Sequence, residues 1–319
     1  MAAALRVHPM TKFALLTYST NNLGDEIQSI AARQFLPQTD FFVDRDDWTT
    51  GDSSPADGAK IILNGWFTHN PEKWPPPPFL SPCLISMHIT RERHKPTTLT
   101  VPSVTLLQGK NLDYLRRHQP VGGRDLWTTS LLQQHGVDSY FSGCLTLALG
   151  AGAKHDRRNY ICAVDLPEEP YRILLGRTRT PVLQLNHRDT GGGTFAQRCA
   201  KAGRLLSLYA HAKCVVTTRL HCALPCLALA TPVLFINTAP DQYRLSGLIE
   251  LLRSCTADAF ATRSPDFDFD RPPPNSGAHT PLRQALIARL ETFFAAPMRP
   301  FCPLPTAEIA NYDTLAAEA

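Results

Sequence analysis

The sequence contains no apolar run close to the about 20 residues that a membrane-spanning helix needs. Its first 12 residues hold too short an apolar segment for a secretory signal peptide. Charge of one sign is not in large excess either, because 32 Lys and Arg stand against 28 Asp and Glu, a net charge of +4. That balance is too mild to indicate nucleic-acid binding. We therefore expect a cytoplasmic protein that does not bind nucleic acid.

Metal-ligand spacings are also missing. The nine cysteines are an odd number and include no Cys-x-x-Cys pair. Cys162, Cys214 and Cys226 lie in apolar runs, which favours buried free thiols in a reducing compartment. Cys222 and Cys226 are one helical turn apart but belong to no Cys/His set of zinc spacing. We expect no metal and no bound cofactor.

The loop after the first predicted strand, Lys12 to Tyr18, lacks both the G-x-G-x-x-G and the Walker phosphate-binding patterns. A helix is predicted to follow from Asp25 to Phe35, and strand, loop and helix together are the opening unit of a doubly wound sheet. Asp25 lies in its first turn. Two explanations of this carboxylate are open. The helix dipole by itself favours a negative charge in the first turn, or Asp25 binds or deprotonates a hydroxyl of a substrate.

The most informative stretch, residues 214–236, predicts a strand, a loop, a short helix and another strand. The predicted elements are a strand over Cys214–Thr218, a helix over Ala223–Ala230 with Pro225 in its first turn, and a strand over Val233–Ile236. Arg219, Leu220 and His221 lie between the first strand and the helix. Parallel sheets bind anions where strands end and helices begin. The alternative is a surface ion pair at Arg219 and a helix-start residue at His221.

A second cation precedes a predicted helix in the segment Val121–Asp125, where Arg124 and Asp125 follow two glycines. The helix is predicted over Leu126–Gln134. Arg124 is either a second anion-binding group or the partner of Asp125 in a structural ion pair.

Aromatic residues surround a proline run, with Trp66 and Phe67 before it and Trp74 at its start. These rings could stack on a sugar or could pin the loop to the body of the protein. His88 lies near the end of a strand predicted over Leu84–Ile89, a position where a histidine is more often structural than catalytic. Two further predictions are a strand over Val104–Gln108 and a helix over Leu245–Leu252.

A small, polar and basic segment, residues 150–159, predicts a linker between two α/β halves. We therefore expect an α/β protein with two Rossmann-like domains and a cleft between them. The first domain spans residues 1–153 and the second residues 154–319, and we expect a last helix, residues 282–294, to pack back on the first domain.

Five segments, in order along nearly the whole chain, resemble the polysaccharide pyruvyl transferase family. They are NNLGDEIQS (21–29), NGWF (64–67) with the following WPPPP, VGGRDLWT (121–128), YFSGCLT (140–146) and VVTTRLHCALPCLAL (215–229). The RLH segment is specific only in combination with the GRD and GD segments. Gly123 departs from the pattern, since Cys or another small residue is expected before Arg124.

The resemblance implies a glycosyltransferase-B-like fold, with the acceptor on the first domain and the donor on the second. It implies transfer of a pyruvyl group from phosphoenolpyruvate to two hydroxyls of a sugar, forming a cyclic ketal. Arg219, Leu220, His221 and Arg124 would bind the donor.

We assign acceptor binding to Asn22, Gly24, Trp66 and His88. Catalysis is assigned to His221, as a phosphate contact or acid, and to Asp25, as the base. The acceptor is a saccharide, free or lipid-linked, and a lipid-linked acceptor would bring the protein into weak contact with the inner face of the membrane.

Two other functions share this architecture. A sugar-nucleotide glycosyltransferase would hold a diphosphate at the same cations, and a non-catalytic saccharide-binding protein would not depend on Arg219 or His221.

Overall fold

The computed structural model describes residues 11–48, 58–67, 69–93, 100–150, 155–238, 243–262 and 266–303. Within these residues the strands form two separate sheets, of six and five strands, in which all neighbours are parallel. The first sheet contains β1 (Lys12–Thr17), β2 (Phe41–Asp44), β3 (Ala59–Trp66), β4 (Leu80–His88), β5 (Val121–Gly123) and β6 (Ser139–Phe141). The second contains β7 (Ile161–Val164), β8 (Val182–Leu185), β9 (Cys214–Thr217), β10 (Val233–Asn237) and β11 (Ser254–Thr256).

The two sheets share one strand order. The first runs β2-β1-β3-β4-β5-β6, and the second, read from its other edge, runs β8-β7-β9-β10-β11. In both sheets the second strand of the chain lies on one side of the first strand and the third strand lies on the other side. The order in which strands are added to the sheet therefore reverses between β1 and β3 and between β7 and β9. Such a point leaves a crevice at the carboxyl ends of the strands, where ligands of open parallel sheets bind.

Helices follow most of the strands. They are α1 (Leu23–Arg33), α2 (Pro102–Thr105), α3 (Gly109–Arg117), α4 (Leu126–Gln134), α5 (Glu168–Gly176), α6 (Phe195–His211), α7 (Leu220–Ala228), α8 (Ala257–Thr262) and α9 (Thr280–Phe294). Thr194 caps α6, because its hydroxyl accepts from the Gln197 backbone N–H while the Gln197 side chain accepts from the Thr194 N–H.

One hydrophobic cluster joins the two halves. It contains Ile27 of α1, Leu206 of α6 and Leu227 of α7, together with residues of both sheets. Inside it, Arg198 of α6 forms a two-bond ion pair with Glu26 of α1, at 2.7 and 2.9 Å. Both side chains are buried, so α1 is fixed against the second half.

The last helix, α9, reaches the first sheet. The ring of Phe294 lies 5.9 Å from that of Phe13 on β1, and Lys60 of β3 donates to the carbonyl of Phe293 at 2.6 Å. Arg299, just beyond α9, donates to the carbonyls of Leu36 and Pro37.

Three predictions about elements are wrong. The predicted strand 104–108 is instead the short helix α2 and a turn, which begin at Pro102 because proline is favoured in a first helical turn. The predicted helix 245–252 is two 3₁₀ turns on either side of Gly247, whose φ of +80° cannot continue a helix. Helix α7 begins at Leu220, so Pro225 lies inside it rather than in its first turn.

Cys162, Cys214 and Cys226 are fully buried free thiols, as predicted. Across the described ranges, none of the helices combines the length and apolar character that crossing a membrane requires.

Candidate active site

The Arg219-Leu220-His221 segment lies at the junction of β9 and α7. Because α7 starts at Leu220, Arg219 is its capping residue and His221 lies in its first turn. The first backbone N–H groups of a helix have no partner within the helix and attract anions. Leu220 contributes backbone at this point, while its side chain packs against the core.

The starts of α1 and α7 meet in direct contact. A Cβ atom on Gly24 would lie 3.2 Å from both Cβ and Nδ1 of His221, so a larger residue would displace one of the two helices. Asn22 caps α1, since its Oδ1 accepts from the Gly24 N–H at 3.2 Å. The Leu23 N–H donates to the carbonyl of His187, which follows β8, at 2.8 Å. This contact brings residues of both halves to one place.

Arg219 is held by Asp165, which follows β7. Its Nε donates to Asp165 Oδ2 at 2.8 Å, and the same oxygen accepts from the His187 N–H at 3.1 Å. Asp165 has a φ of +51°, an uncommon conformation for a residue other than glycine. The Arg219 side chain keeps 40% of its surface exposed, so its terminal nitrogens remain available to a ligand.

Arg124 follows β5 and is only 4% exposed. Its backbone N–H donates to the Met87 carbonyl at 2.7 Å, whereas its Nε lies 3.6 Å from Asp125 Oδ2 and has no hydrogen-bond partner in the described part of the chain. Gly123 is required here, because a Cβ atom would lie 2.9 Å from the Thr129 backbone nitrogen. That packing gives a physical reason for the departure from the family pattern.

A third arginine, Arg244, was not identified from the sequence. It lies beyond β10 in the turn Tyr243–Leu245, and its guanidinium is 5.9 Å from the centre of the Trp66 ring. Burial lowers its pKa from the ordinary value, and the charges of Arg124 and Arg219 lower it further. We call Arg124, Arg219 and Arg244 the arginine cluster. Arg244 belongs to none of the motifs found in the sequence. It lies just before the wrongly predicted helix 245–252, in a segment for which the sequence predicted no element.

His221 is buried and lies within electrostatic range of Arg124 and Arg244. Burial, followed by the charges of Arg124, His187 and Arg244, holds its pKa well below the ordinary value. Its Nε2 is buried and forms no hydrogen bond with any described residue. The imidazole is therefore neutral when no anion is bound at the arginine cluster. A bound anion would offset the positive charges of the arginines and so reduce their repulsion of a protonated His221.

His88 and Asp125 form a buried pair next to Arg124. His88 Nδ1 lies 2.6 Å from Asp125 Oδ2, and both side chains are fully buried. Asp125 also caps α4 by accepting from the Thr128 N–H at 2.8 Å. The His88 ring lies 5.5 Å from that of Trp66 and 6.0 Å from that of Tyr243.

Asp25 is bound on both carboxylate oxygens. Oδ2 accepts from Thr20 at 2.7 Å, and Oδ1 accepts from Gln28 at 3.2 Å and from Arg45 at 3.3 Å. Arg45 is 2% exposed, is also paired with Asp46 and was not identified from the sequence. Asp25 therefore compensates a buried cation.

Two of the three aromatic residues proposed for sugar stacking are unavailable. Phe67 and Trp74 are buried, with ring centres 5.1 Å apart, and both pack against Trp48. Of the two alternatives that the sequence leaves open for these rings, the structure therefore supports pinning of the loop for Phe67 and Trp74. Trp66 is half-buried and lies beside Arg244 and His88.

No cluster of three or more His, Cys, Asp or Glu suited to a metal ion occurs among the described residues. Among the described residues, the site brings together the arginine cluster, the imidazoles of His88 and His221, and the carboxylates of Asp25, Asp125 and Asp165, near the carboxyl ends of strands from both sheets.

Comparison with known proteins gives three findings. The family model described as polysaccharide pyruvyl transferase matches residues 22–240. No protein of curated function matches the chain. Among solved structures, a functionally uncharacterized protein from Klebsiella pneumoniae is similar over 77% of this chain and 92% of its own, with 13% sequence identity and a TM-score of 0.47. Because the family model covers well over half of the sequence and spans the Arg219–His221, Arg124 and Asp25 segments, this chain belongs to the polysaccharide pyruvyl transferase family.

Proposed function

We propose that this protein transfers a pyruvyl group from phosphoenolpyruvate to two hydroxyls of a sugar in a saccharide or polysaccharide precursor. The product is a pyruvate ketal, and phosphate is released. The observation that supports the proposal best is the arginine cluster near His221. Phosphoenolpyruvate carries a carboxylate and a phosphate, which need several fixed cations, and the chain belongs to a family of pyruvyl transferases.

The donor would bind at the start of α7. Arg219 and Arg124 are suited to bidentate contact with its carboxylate and phosphate, and Arg244 adds a third positive charge. The backbone N–H groups of Leu220 and His221, at the first two positions of α7, would donate hydrogen bonds to an anionic oxygen. Arg219 is oriented for this by Asp165, which occupies its Nε and leaves the other nitrogens to the ligand.

The chemistry requires a proton at C3 of the enol and the loss of protons from two hydroxyls. Protonation makes C2 electrophilic, one hydroxyl adds, phosphate leaves, and the second hydroxyl closes the ring. His221 is proposed as the acid or phosphate contact, because the bound anion would raise its pKa towards the ordinary value by offsetting Arg124 and Arg244.

The acceptor would approach from the first half of the chain. Asp25 follows Gly24, which touches His221, and is proposed to take the proton of one acceptor hydroxyl. Asn22, Gly24, Trp66 and His88 are proposed to line the acceptor site, with Trp66 offering the accessible ring face.

The wider proposal is a glycosyltransferase-B-like arrangement of two Rossmann-like halves, residues 1–153 and 154–319, in a cytoplasmic enzyme without a bound cofactor. A lipid-linked saccharide acceptor would bring it to the inner face of the membrane through weak peripheral contact.

Calorimetry with phosphoenolpyruvate tests this function. Wild-type protein should bind it saturably, and Arg219→Ala and His221→Ala should each weaken binding at least tenfold. Arg271→Ala is the matched control, because Arg271 is an exposed arginine of the same half, and its affinity should equal that of wild type.

Uridine diphosphate serves as the competing ligand. Saturable binding of the nucleotide without binding of phosphoenolpyruvate would overturn the proposal in favour of a sugar-nucleotide glycosyltransferase. Binding of saccharides alone, unaffected by Arg219→Ala, would favour a non-catalytic saccharide-binding protein.

A further inference from the structure

The histidine of the His88–Asp125 pair has one nitrogen engaged and one free. An ionised carboxylate only accepts hydrogen bonds, so the 2.6 Å contact to Asp125 requires the proton on His88 Nδ1. Burial, followed by the charge of Arg124, lowers the pKa of His88 to about 4, so the ring is neutral near pH 7 and Nε2 carries a lone pair. It is buried and has no hydrogen-bond partner among the residues that the structure describes. Buried polar atoms are rarely left unpaired without a functional reason.

The pair lies beside the donor site. Trp66 and His88 are register partners at the ends of β3 and β4, and Arg124 follows the end of the next strand, β5. Arg124 and Arg244 both act electrostatically on His88 and on His221. The two histidines thus share two guanidiniums, one on each half of the chain.

We propose that His88 is a catalytic base that takes the proton of an acceptor hydroxyl through Nε2, and that Asp125 is the positioning residue that orients it. This role rests on the proposed function and changes its assignment of His88, from an acceptor contact to a proton acceptor. It adds a second base to Asp25, which the two hydroxyls of a ketal-forming reaction can use.

The step balances in protons and electrons. The O–H bond of the hydroxyl breaks, its proton moves to the Nε2 lone pair, and the oxygen electron pair forms the bond to C2 of the donor. The C2=C3 electron pair takes a proton at C3 from the acid, for which His221 is proposed. When the C2–O bond to phosphate breaks, the departing phosphate takes the proton from His88, which restores the neutral base.

Asp125 supports this cycle in two ways. Its carboxylate fixes the ring and the tautomer of His88 before reaction, and it stabilises the imidazolium that forms. The flanking rings of Trp66 and Tyr243 restrict water around the imidazole. The charged groups that face it are Asp125, Arg124 and Arg244.

The test compares His88→Asn with His135→Asn. Asparagine can keep the hydrogen bond to Asp125 through its amide while lacking a basic nitrogen, and His135 is a half-buried histidine at the other end of α4. Phosphate release from phosphoenolpyruvate is measured with a panel of methyl glycosides of glucose, galactose and mannose. Calorimetry gives donor affinity and thermal melting verifies folding.

We expect His88→Asn to lower turnover roughly 100-fold or more, the usual contribution of a general base, with donor affinity within about threefold of wild type. His135→Asn should behave as wild type. A loss of less than tenfold in folded His88→Asn, with an active wild type, would overturn the base while leaving the proposed function intact. Wild-type protein that neither binds the donor nor releases phosphate would overturn the proposed function and the base with it.

A pH profile separates a base from a structural histidine. Wild-type kcat/KM should fall at low pH as His88 becomes protonated, and His88→Asn and His88→Gln should lose that acidic limb. Asp125→Asn should alter the position of the limb, because the neutral amide no longer stabilises the imidazolium. A limb that survives unchanged in all three variants would overturn the assignment.

Discussion

Asp25 and Asp125 invite comparison because both are buried carboxylates near the starts of helices that follow strands of the first sheet. Asp25 is paired with Arg45, a permanent cation at 3.3 Å, whereas Asp125 is paired with His88, a titratable ring at 2.6 Å. The first pairing fixes charge in place. The second leaves a basic nitrogen on the far side of the ring, where a proton can be taken up.

The difference shows that a buried carboxylate gains its role from its partner. An arginine remains protonated at any accessible pH, so Arg45 itself exchanges no proton and acts on Asp25 through its fixed positive charge. An imidazole held by a carboxylate exchanges its proton. Substitutions at the two pairs should therefore separate effects on stability from effects on turnover.

The largest effect on stability is expected from Arg45→Met. It leaves Asp25 and Asp46 without their buried cation, and breaking such a pair costs about 3 to 5 kcal/mol of unfolding free energy. Urea denaturation measures the loss. Arg271→Met is the control, since the exposed Arg271–Asp268 pair should contribute less than about 1 kcal/mol. Equal losses in the two variants would show that Arg45 does not organise this region.

Asp25→Asn should reduce both properties. The amide no longer compensates Arg45, which costs about 2 to 3 kcal/mol, and turnover falls because the proposed base is lost. Donor affinity should survive, since Asp25 does not belong to the arginine cluster. Denaturation, phosphate release and calorimetry are measured on the same preparation. Lost donor binding with normal turnover at saturation would contradict the assignment, and unchanged turnover would leave His88 as the base.

The His88–Asp125 pair should instead appear in the pH dependence of stability. Burial and then Arg124 lower the pKa of His88 to about 4. Between the ordinary value of about 6.5 and that value, the unfolded chain binds a proton that the folded chain does not. Stability therefore falls as pH falls through this window, by about 2 kcal/mol between pH 7 and pH 5 from His88 alone.

Replacing His88 tests that contribution directly. His88→Asn should lose less stability than wild type between pH 7 and pH 5, and His135→Asn should keep the wild-type slope. Urea denaturation at the two pH values gives the comparison. Identical slopes in wild type and His88→Asn would mean that the ring is protonated in the folded protein, which would remove the basis for a neutral base.

The sequence allowed the local parts of this arrangement to be predicted. The helix after Arg124 and the position of Arg219 and His221 at the junction of β9 and α7 both depend on residues a few positions apart. Helix α7 starts three residues before the predicted Ala223, because Pro225 lies inside the helix rather than in its first turn. The family assignment rested on the same local segments and is confirmed.

Long-range partners could not be predicted in this way. Asp25 and Arg45 are 20 residues apart and His88 and Asp125 are 37 apart, and neither pairing has a periodic signal. Arg244 joins the arginine cluster only because β9 and β10 are neighbours. Strand order decides which strand ends meet, and alternating patterns in a sequence do not encode that order.

The smallest effect is expected from Gly24→Ala, at the contact that brings the two halves together. The new methyl group would lie 3.2 Å from His221 and 3.1 Å from Asn22 Oδ1, so these neighbours must move by a few tenths of an ångström. Such overpacking costs about 1 to 2 kcal/mol. A 1 Å misplacement of groups in an active site can cost roughly 100-fold. Because the shift at His221 is smaller than 1 Å, donor affinity should fall by less than that factor.

Gly203→Ala is the matched control, because a Cβ atom there meets no atom within 4 Å and alanine stabilises a helix interior such as α6 by about 0.5 to 1 kcal/mol. Denaturation and calorimetry with phosphoenolpyruvate compare the two variants. If Gly24→Ala is also stabilised and binds the donor normally, α1 and α7 can separate without cost. Asp25 would then be free to move relative to His221, whereas His88 stays fixed to Asp125 within the first half, and the difference between the two carboxylates would become one of mobility as well as chemistry.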